Sequence, residues 1–435
     1  MVLHWFRRDL RLHDNKALEL AKTSGEKVQC IFIFDPFILN KLEDKSDPRV
    51  TFIHNELIRL DLELRNFGSS LWVLHGDPYS VNKSLLDENS EIRSIYCNND
   101  YEPYSIARDE KISELYKSYG KDYFSVKDHV IFEKNEISKE DGSPYMVFTP
   151  YARRWLEKLK ANLVTINDST LGDDSCWNKE SSDKPLLTLN FMGFSKSEIT
   201  FPERILNEKT IINYDKSRNF PSWHQGTSRL GVHLRFGTIS IRSLVKSAME
   251  KNDIFLTELI WRDFYHMVLF HNPQSRNKAI KPQYDKICWI FDESMFEAWC
   301  AGETGYPLVD AGMRELNATG YMHNRVRMVA ASFLTKHLLH DWRLGEAYFA
   351  KKLLDFDLAS NVGGWQWASG SGCDAAPYFR IFNPLSQLEK FDKQNIYVKK
   401  WIPELNSGKY AKPIIDHKFA RERALRIYKE GLSST

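Results

Sequence analysis

Cysteine is scarce in this chain: six in 435 residues, at positions 30, 97, 176, 288, 300 and 373, with no Cys-x-x-Cys pair. That spacing excludes finger-type zinc ligation, and no metal site is expected. It also argues against a disulfide framework and suits the reduced thiols of a cytoplasmic protein, nucleoid-associated if bacterial. No run approaches the roughly 18–20 uncharged apolar residues of a membrane span. The opening Met1-Val2-Leu3-His4-Trp5-Phe6-Arg7-Arg8 turns charged at once and lacks the apolar stretch of a secretory signal. There is no internal repeat, and no GxGxxG follows the first apolar run, so the dinucleotide fingerprint is absent. Charge of one sign is lacking too, because the net charge is only +2.

That balance hides an asymmetry. Residues 201–435 carry a net +8 and residues 1–200 a net −6, which points to an anionic partner for the second part. With 42% hydrophobic and 27% charged residues, the chain is a folded globular protein, long enough for two or three domains. Eight of the 12 Trp lie at or after position 223, where ordinary core packing is the alternative to a functional role.

The first ~130 residues alternate short apolar runs with amphipathic segments. The runs are Val2–Phe6, Val28–Phe34, Ser70–Leu74 and Ile92–Cys97; the helical patterns include Ile53–Leu64 and Ile106–Tyr119. This rhythm predicts a parallel sheet covered by helices. Residues 131–200 read as a connector, with a turn at Glu140–Pro144, a helix starting near Pro150 and Tyr151, and a surface loop from Asn167 to Ser197. Beyond position 200 the periods are helical, at Ile254–Phe270, Tyr321–Leu339 and Gly345–Phe356. The expected division is residues 1–130, 131–200 and 201–435.

Four clusters carry candidate chemistry. In Thr257–Tyr265, the residues Glu258, Trp261, Arg262 and Tyr265 fall at i, i+3, i+4 and i+7 on one helix face. A carboxylate, an indole, a guanidinium and a phenol can line a pocket there, or form a helix edge with a snorkelling Arg. In Gly320–Met328, Asn324, Arg325 and Met328 can converge, or the run can be a capped helix start. Asp355–Trp367 packs two acids, Asn361, Gly363, Gly364, Trp365 and Trp367 into thirteen residues, as a close-approach site or as a turn. Gly226-Thr227-Ser228-Arg229-Leu230-Gly231 suits a phosphate or an ordinary helix cap.

Together these runs resemble the photolyase/cryptochrome family. The opening His4–Asn15 is similar to that family's first strand and loop, and Val147–Tyr151 to its connector. The clusters from 227, 257, 320 and 355, with Asp374–Pro384, match its flavin domain in order. The resemblance runs from residue 2 to about 405 and is strongest to class I cyclobutane pyrimidine dimer photolyases. It implies an α/β N-terminal domain with a Rossmann-like parallel sheet, and an all-α C-terminal FAD-binding domain.

By matching positions, the resemblance assigns Tyr214, Thr227, Ser228, Arg229, Leu230 and Gly231 to the phosphate side of one FAD. Arg327 would pair with Asp355 beside the isoalloxazine, near Phe356 and Asp357. Asn361 would face flavin N5, where a neutral amide cannot supply the proton a carboxylic acid could, favouring reduced flavin over a stable neutral radical. Glu258 and Asn324 would hydrogen-bond a flipped dimer between Trp261 and Trp367, under Met328. Arg262, Tyr265, Arg325 and Gln387 complete the implied DNA contacts, and Trp365, Trp342 and Trp289 the implied electron relay. The implied activity is light-driven splitting of pyrimidine dimers in damaged DNA, by a monomer with no obligate protein partner and no membrane association. The alternative is a cryptochrome-type blue-light receptor; Asn361, the Glu258–Asn324–Met328 pocket and the lack of a long tail after about 430 speak for repair. A (6-4) photolyase would show a His pair where His323 is followed by Asn324. Two departures stand out: Gly231 replaces a usual Ser, and Tyr104-Ser105 stands where folate-binding relatives carry Asn-Glu. A folate antenna is therefore disfavoured, and a second chromophore, if there is one, is unidentified.

Overall fold

The computed structural model describes residues 1–161, 174–179 and 185–433. Of the expected Asn167–Ser197 loop, residues 167–173 and 180–184 lie outside the described residues. The chain forms two compact units, each assembled from separate stretches of sequence. The first comprises residues 1–133 and 230–247 with the described part of 162–204; the second comprises 134–161, 205–229 and 248 onward. These differ from the contiguous division expected above in placing 230–247 with the N-terminal stretch.

The first unit is built on five parallel strands, β1 (Val2–Phe6), β2 (Val28–Phe34), β3 (Leu71–His75), β4 (Ser94–Asn98) and β5 (Asp122–Val126), in the order β3-β2-β1-β4-β5. β1 is central and buried throughout, so it reads as an unbroken apolar run, and it pairs in register from Val2↔Val28 to Phe6↔Phe32. The sequence pattern missed β5. It is an edge strand of mostly exposed residues, Asp122-Tyr123-Phe124-Ser125-Val126, and carries too little apolar signal to stand out. Helices α1 (Lys16–Lys22), α2 (Pro48–Arg65), α3 (Pro78–Glu88) and α4 (Pro103–Ser118) provide the connections. Three of them place Pro in the first turn, where its missing N–H costs nothing, and Asp47 and Asp77 cap α2 and α3. The sheet changes winding direction between β1 and β4, the crevice where such sheets bind ligands.

The second unit is helical, and no β-strand follows Val126 among the described residues. Its main elements are α5 (Phe148–Ala161), α6 (Asp253–His271), α7 (Glu293–Ala301), α8 (Pro307–Thr319), α9 (Asn324–Ser332), α10 (Trp342–Lys352), α11 (Leu358–Ser369), α12 (Pro384–Phe391) and α13 (His417–Ser433). A core centred on Trp299, Met313, Phe333, Trp342 and Trp365 holds α7 to α13 together. Two expectations shift. The run expected as one helix over Tyr321–Leu339 starts at Asn324 and passes into a π-helical turn at Phe333–His337. The helix expected over Gly345–Phe356 begins earlier, where Asp341 accepts from Arg343 N at 2.9 Å, and ends at Lys352. Leu353 then turns extended, and Leu354 N donates to Gly320 O at 2.9 Å, which frees Asp355 from the helix.

The glycine-bearing run Leu358–Ser369 is a helix and not a turn, and its Gly363 serves close packing. A Cβ built on Gly363 would lie 2.2 Å from Tyr265 Cδ1, so only glycine lets α11 approach α6. Likewise a Cβ on Gly345 of α10 would lie 2.1 Å from Trp365 Cη2.

Candidate functional site

A cavity of about 460 Å³ opens in the helical unit, within the size range of small-molecule and cofactor sites. Four elements meet there, and each brings residues the sequence had singled out. α6 contributes Glu258, Trp261, Arg262 and Tyr265, the predicted single face. α9 contributes Asn324, Arg327 and Met328. The segment between α10 and α11 supplies Asp355 and Asp357, and α11 supplies Asn361, Trp365 and Trp367.

The cavity lining carries ion pairs. Arg218 Nη1 stands 2.6 Å from Glu258 Oε1. Burial pushes the Glu258 carboxyl above its ordinary range, and the Arg218 guanidinium pulls it partly back down. Trp261 is backed by Phe148, which lies parallel to it with ring centroids 3.7 Å apart. The stack covers one face of the indole and holds it rigid, worth about 0.5–1.5 kcal/mol beyond area burial. Phe148 was missed as a site residue; it belongs to the Val147–Tyr151 run, whose aromatic content was its only signal.

Arg327 Nη2 donates to both Asp355 oxygens at 3.1 Å, and its Nε donates to Met322 O at 2.7 Å. Asp357 caps α11 by accepting from Ser360 N at 3.0 Å, and its Oδ2 stands 3.4 Å from His266 Nε2. Asn361 spends its amide on Glu346. The apolar wall includes Trp365, Phe349, Ala331 and Leu353.

Other predicted residues stand away from the cavity lining. Arg325 donates to Asn219 Oδ1 at 2.6 Å and lies 4.5 Å over the Phe391 ring. Tyr214 packs edge-on against Phe255, with Arg218 over its ring at 5.4 Å. Thr227 Oγ1 pairs with Tyr321 OH at 3.2 Å, and Ser228 follows it half-buried. Arg229 lies over Tyr321 at 4.5 Å in the left-handed backbone region (φ 52°), with its Nε buried and unpartnered. A non-glycine residue there is strained, and such strain concentrates at ligand-binding segments. Leu230 is buried and starts the short helix Gly231–Arg235 with no side-chain cap, so the Thr227-Ser228 hydroxyls do not serve as its cap. Phe356 packs half-buried against the core, and Gln387 on α12 keeps a buried, unpartnered Oε1.

Of the three tryptophans expected as a relay, Trp365 lines the cavity, Trp342 is buried at the start of α10, and Trp289 is half-buried with its ring 5.7 Å from Tyr428. Trp365 makes a T-shaped contact with Trp299, centroids 6.1 Å apart, and with Phe349 at 5.1 Å. Trp299 had no sequence signal distinguishing it from core. His323 caps α9 by accepting from Arg325 N through Nδ1 at 3.1 Å. Burial and the surrounding arginines push it down to about 3, so it is neutral at physiological pH.

In the first unit, the run Asn98–Ser105 borders the switch-point crevice. Arg8 bridges Asp100 at 3.2 Å and Glu102 at 2.9 Å, and a space of only about 10 Å³ remains. Tyr104 stacks on Phe37 at 4.5 Å and hydrogen-bonds Asp35, while Ser105 donates to Asp100 at 3.1 Å.

The fold and the cavity define a flavoprotein: residues 255–409 match the family model described as the FAD binding domain of DNA photolyase. Residues 2–168 match the DNA photolyase model, and the chain belongs to the DNA photolyase family. It is 35% identical to the deoxyribodipyrimidine photo-lyase of Escherichia coli, over 98% of this chain and 98% of that protein. Identity to the enzyme of the same name from Vibrio cholerae is also 35%, over 99% of both. Among solved structures, a bacterial class III photolyase from Agrobacterium tumefaciens matches with a TM-score of 0.80 and 32% identity, over 99% of this chain and 97% of that one. An archaeal photolyase from Sulfolobus tokodaii with two FAD molecules matches at 0.81 and 33%, over 99% of both. A Synechocystis cryptochrome, 24% identical over 98% of this chain and 99% of that one, shares the fold with a TM-score of 0.84. No helix among the described residues is long and apolar enough to cross a membrane.

The residues present fit FAD. A flat ring system needs apolar walls and a polar edge, and the cavity lining offers both, in Trp365 and Phe349 and in Arg327, Asp355 and Asn361. The buried, unpartnered Arg229 Nε is a donor with nothing to donate to, as a pyrophosphate-binding segment would leave it.

Proposed function

We propose that this chain is a light-driven DNA repair enzyme that splits cyclobutane pyrimidine dimers, with FAD as the reacting cofactor. The observation that carries the reading is the charged and aromatic lining of the cavity. Glu258, Trp261, Asn324, Met328 and Trp367 open onto the same space as the flavin-type residues Arg327, Asp355 and Asn361.

A dimer is already poorly stacked, so extruding it from a duplex costs less than extruding normal bases. Trp261, held by Phe148, and Trp367 present rigid faces for the extruded pyrimidines, and the polarisable Met328 covers the remaining side. Asn324 offers both a donor and an acceptor to a base edge. Glu258, with its carboxyl raised by burial, can accept from a base N–H when ionised or donate to a carbonyl when protonated. Arg218 sets that balance through its contact with Glu258. Arg325, half-buried outside the cavity, supplies positive charge for a flanking phosphate.

When bound, FAD would supply light-driven single-electron chemistry, and the protein supplies position, a dry apolar wall and fixed charges. Arg327, Asp355, Asp357 and Asn361 would hold its ring, and Tyr214 with Thr227–Gly231 its phosphate side. Trp365, Trp342 and Trp289 would carry electrons inward from the surface.

The test is a blue-light assay of chemically reduced, FAD-loaded protein on an oligonucleotide with one cyclobutane thymine dimer, with dark and (6-4)-lesion controls. Restored thymines only in light, and only from the cyclobutane lesion, are expected. No repair by protein with bound, reduced flavin would refute the reading.

A further inference from the structure

Trp223 stands between Arg218, which lines the cavity, and the Thr227–Gly231 run, and its side chain is 55% exposed. The turn that carries it is firmly closed. Trp223 N donates to Phe220 O at 3.1 Å, and Gly226 N donates to Trp223 O at 2.8 Å. Thr210 Oγ1 and Ser217 Oγ fasten the far end, donating to Gln225 O at 3.1 Å and to Gly226 O at 2.8 Å. A Cβ on Gly226 would lie 2.9 Å from Trp223 O, so the turn closes this tightly only on glycine. Phe220 stacks on the indole, with centroids 5.2 Å apart and planes 28° from parallel. No other ring is stacked on it among the described residues. A large apolar face is thus held in place and left to solvent.

The support beneath it joins a cluster of cations. Phe220 meets Phe391 of α12 edge-on at 6.4 Å. Phe391 in turn carries Arg325 over its ring at 4.5 Å and Lys390 at 5.3 Å. Arg325 also donates to Asn219 Oδ1 at 2.6 Å, which ties α9 to the residue before Phe220. Its Nε is buried with nothing to donate to. Burial, and the like charges of Arg218 and Arg380, hold the Arg325 guanidinium below its ordinary pKa range. Cations gathered around an unused buried donor suit an anion. Aromatic faces interleaved with cations suit a single nucleic-acid strand, whose bases stack while its phosphates pair with charge.

We propose that Trp223, braced by Phe220, stacks an unpaired nucleobase next to the lesion, while Arg325 neutralises the phosphate that joins this nucleotide to the dimer. The proposal rests on the DNA-repair reading and extends it from the dimer to a neighbouring nucleotide. Trp223 touches neither the dimer nor the flavin, so it acts on substrate affinity and has no part in the light-driven step.

The experiment measures affinity in the dark, with FAD-loaded protein. The probes are a bare thymine-dimer dinucleotide and single-stranded oligonucleotides carrying the same dimer with flanks on the 5′ side, the 3′ side or both. Trp223→Ala should leave the bare dinucleotide unaffected. It should weaken binding of the oligonucleotide flanked on one of the two sides by about 5- to 150-fold, the range for losing one base stacked on an aromatic ring. Trp223→Phe should recover most of that loss. An abasic site at the flanking position should make the wild-type protein and Trp223→Ala equal. Undiminished affinity in Trp223→Ala, an equal loss with the bare dinucleotide, or a loss that survives abasic sites on both sides overturns the proposal. So does a loss of FAD uptake in Trp223→Ala, which would give the indole to the cofactor. Should the variant not fold, the unmodified protein decides: it should bind the base-flanked dimer about 5- to 150-fold more tightly than the abasic-flanked one, and equal affinities overturn the stack. A wild-type protein that binds the dimer oligonucleotide no better than undamaged DNA overturns the repair reading and the proposal together.

Discussion

Two adjacent glycines on α11 should respond to the same substitution with opposite signs. A Cβ on Gly363 would sit 2.2 Å from Tyr265 Cδ1 and 2.5 Å from Cε1, where carbon atoms normally keep about 3.5–4.0 Å. Tyr265 cannot swing aside freely, because its ring also contacts Trp261 at 5.5 Å and Phe264 at 6.0 Å. Gly363→Ala therefore forces α11 and α6 apart by more than an ångström. Overpacking of this kind costs about 1–3 kcal/mol. Relief of the glycine helix penalty returns about 1 kcal/mol, leaving a net loss of up to about 2 kcal/mol. A Cβ on Gly364 meets nothing within 4 Å, so Gly364→Ala should gain about 1 kcal/mol from propensity alone. Its methyl group enters the cavity that Gly364 lines, so FAD affinity should fall even as the protein becomes more stable. The assay is urea unfolding of FAD-free protein by circular dichroism, paired with titration of FAD by its fluorescence. Stripping the cofactor matters because ligand binding would shift the midpoint by itself. Equal stability changes in the two variants, or a Gly364→Ala protein with undiminished FAD affinity, would refute the packing argument.

Asn324→Ala should lower repair yield while FAD stays bound, read by product formation against flavin absorbance. Trp365→Phe should block light-driven reduction of FAD but spare repair by chemically reduced protein; transient absorption separates the two. Arg218→Ala removes the charge that holds the Glu258 carboxyl down, so its pKa should rise further, and the pH dependence of dimer binding should move to higher pH. A profile that does not move in a binding titration would refute this coupling. His323, pushed by burial and the surrounding arginines from its ordinary range near 6.5 down to about 3, is neutral when folded where the unfolded chain is protonated. The native state thus binds fewer protons between those values, and stability falls as pH drops from about 6.5 toward 3. His323→Asn keeps a cap acceptor and should flatten that part of the stability profile in acid unfolding.

Periodicity made the central strands legible, because β1 and β2 are buried on both faces and read as apolar runs. β5 was illegible for the converse reason: an exposed edge leaves few apolar letters. On α6, helical spacing alone put Glu258, Trp261, Arg262 and Tyr265 on one face, and all four line the cavity. The run from Asp355 to Trp367 was harder to read, because glycine signals a turn in sequence and serves helix packing here. Gly363 is required by Tyr265, almost a hundred residues away.

By itself, the sequence determined the alternation of elements, the faces of the helices and the family to which the chain belongs, since each depends on residues close together or on an ordered set of motifs. Only tertiary structure could decide which side chains restrain the site residues. Phe148 stacking on Trp261, Trp299 touching Trp365, Arg218 reaching Glu258 and Glu346 clamping Asn361 join distant or individually unremarkable positions. Such contacts leave no local period, because packing and hydrogen bonding act across space and are indifferent to separation along the chain.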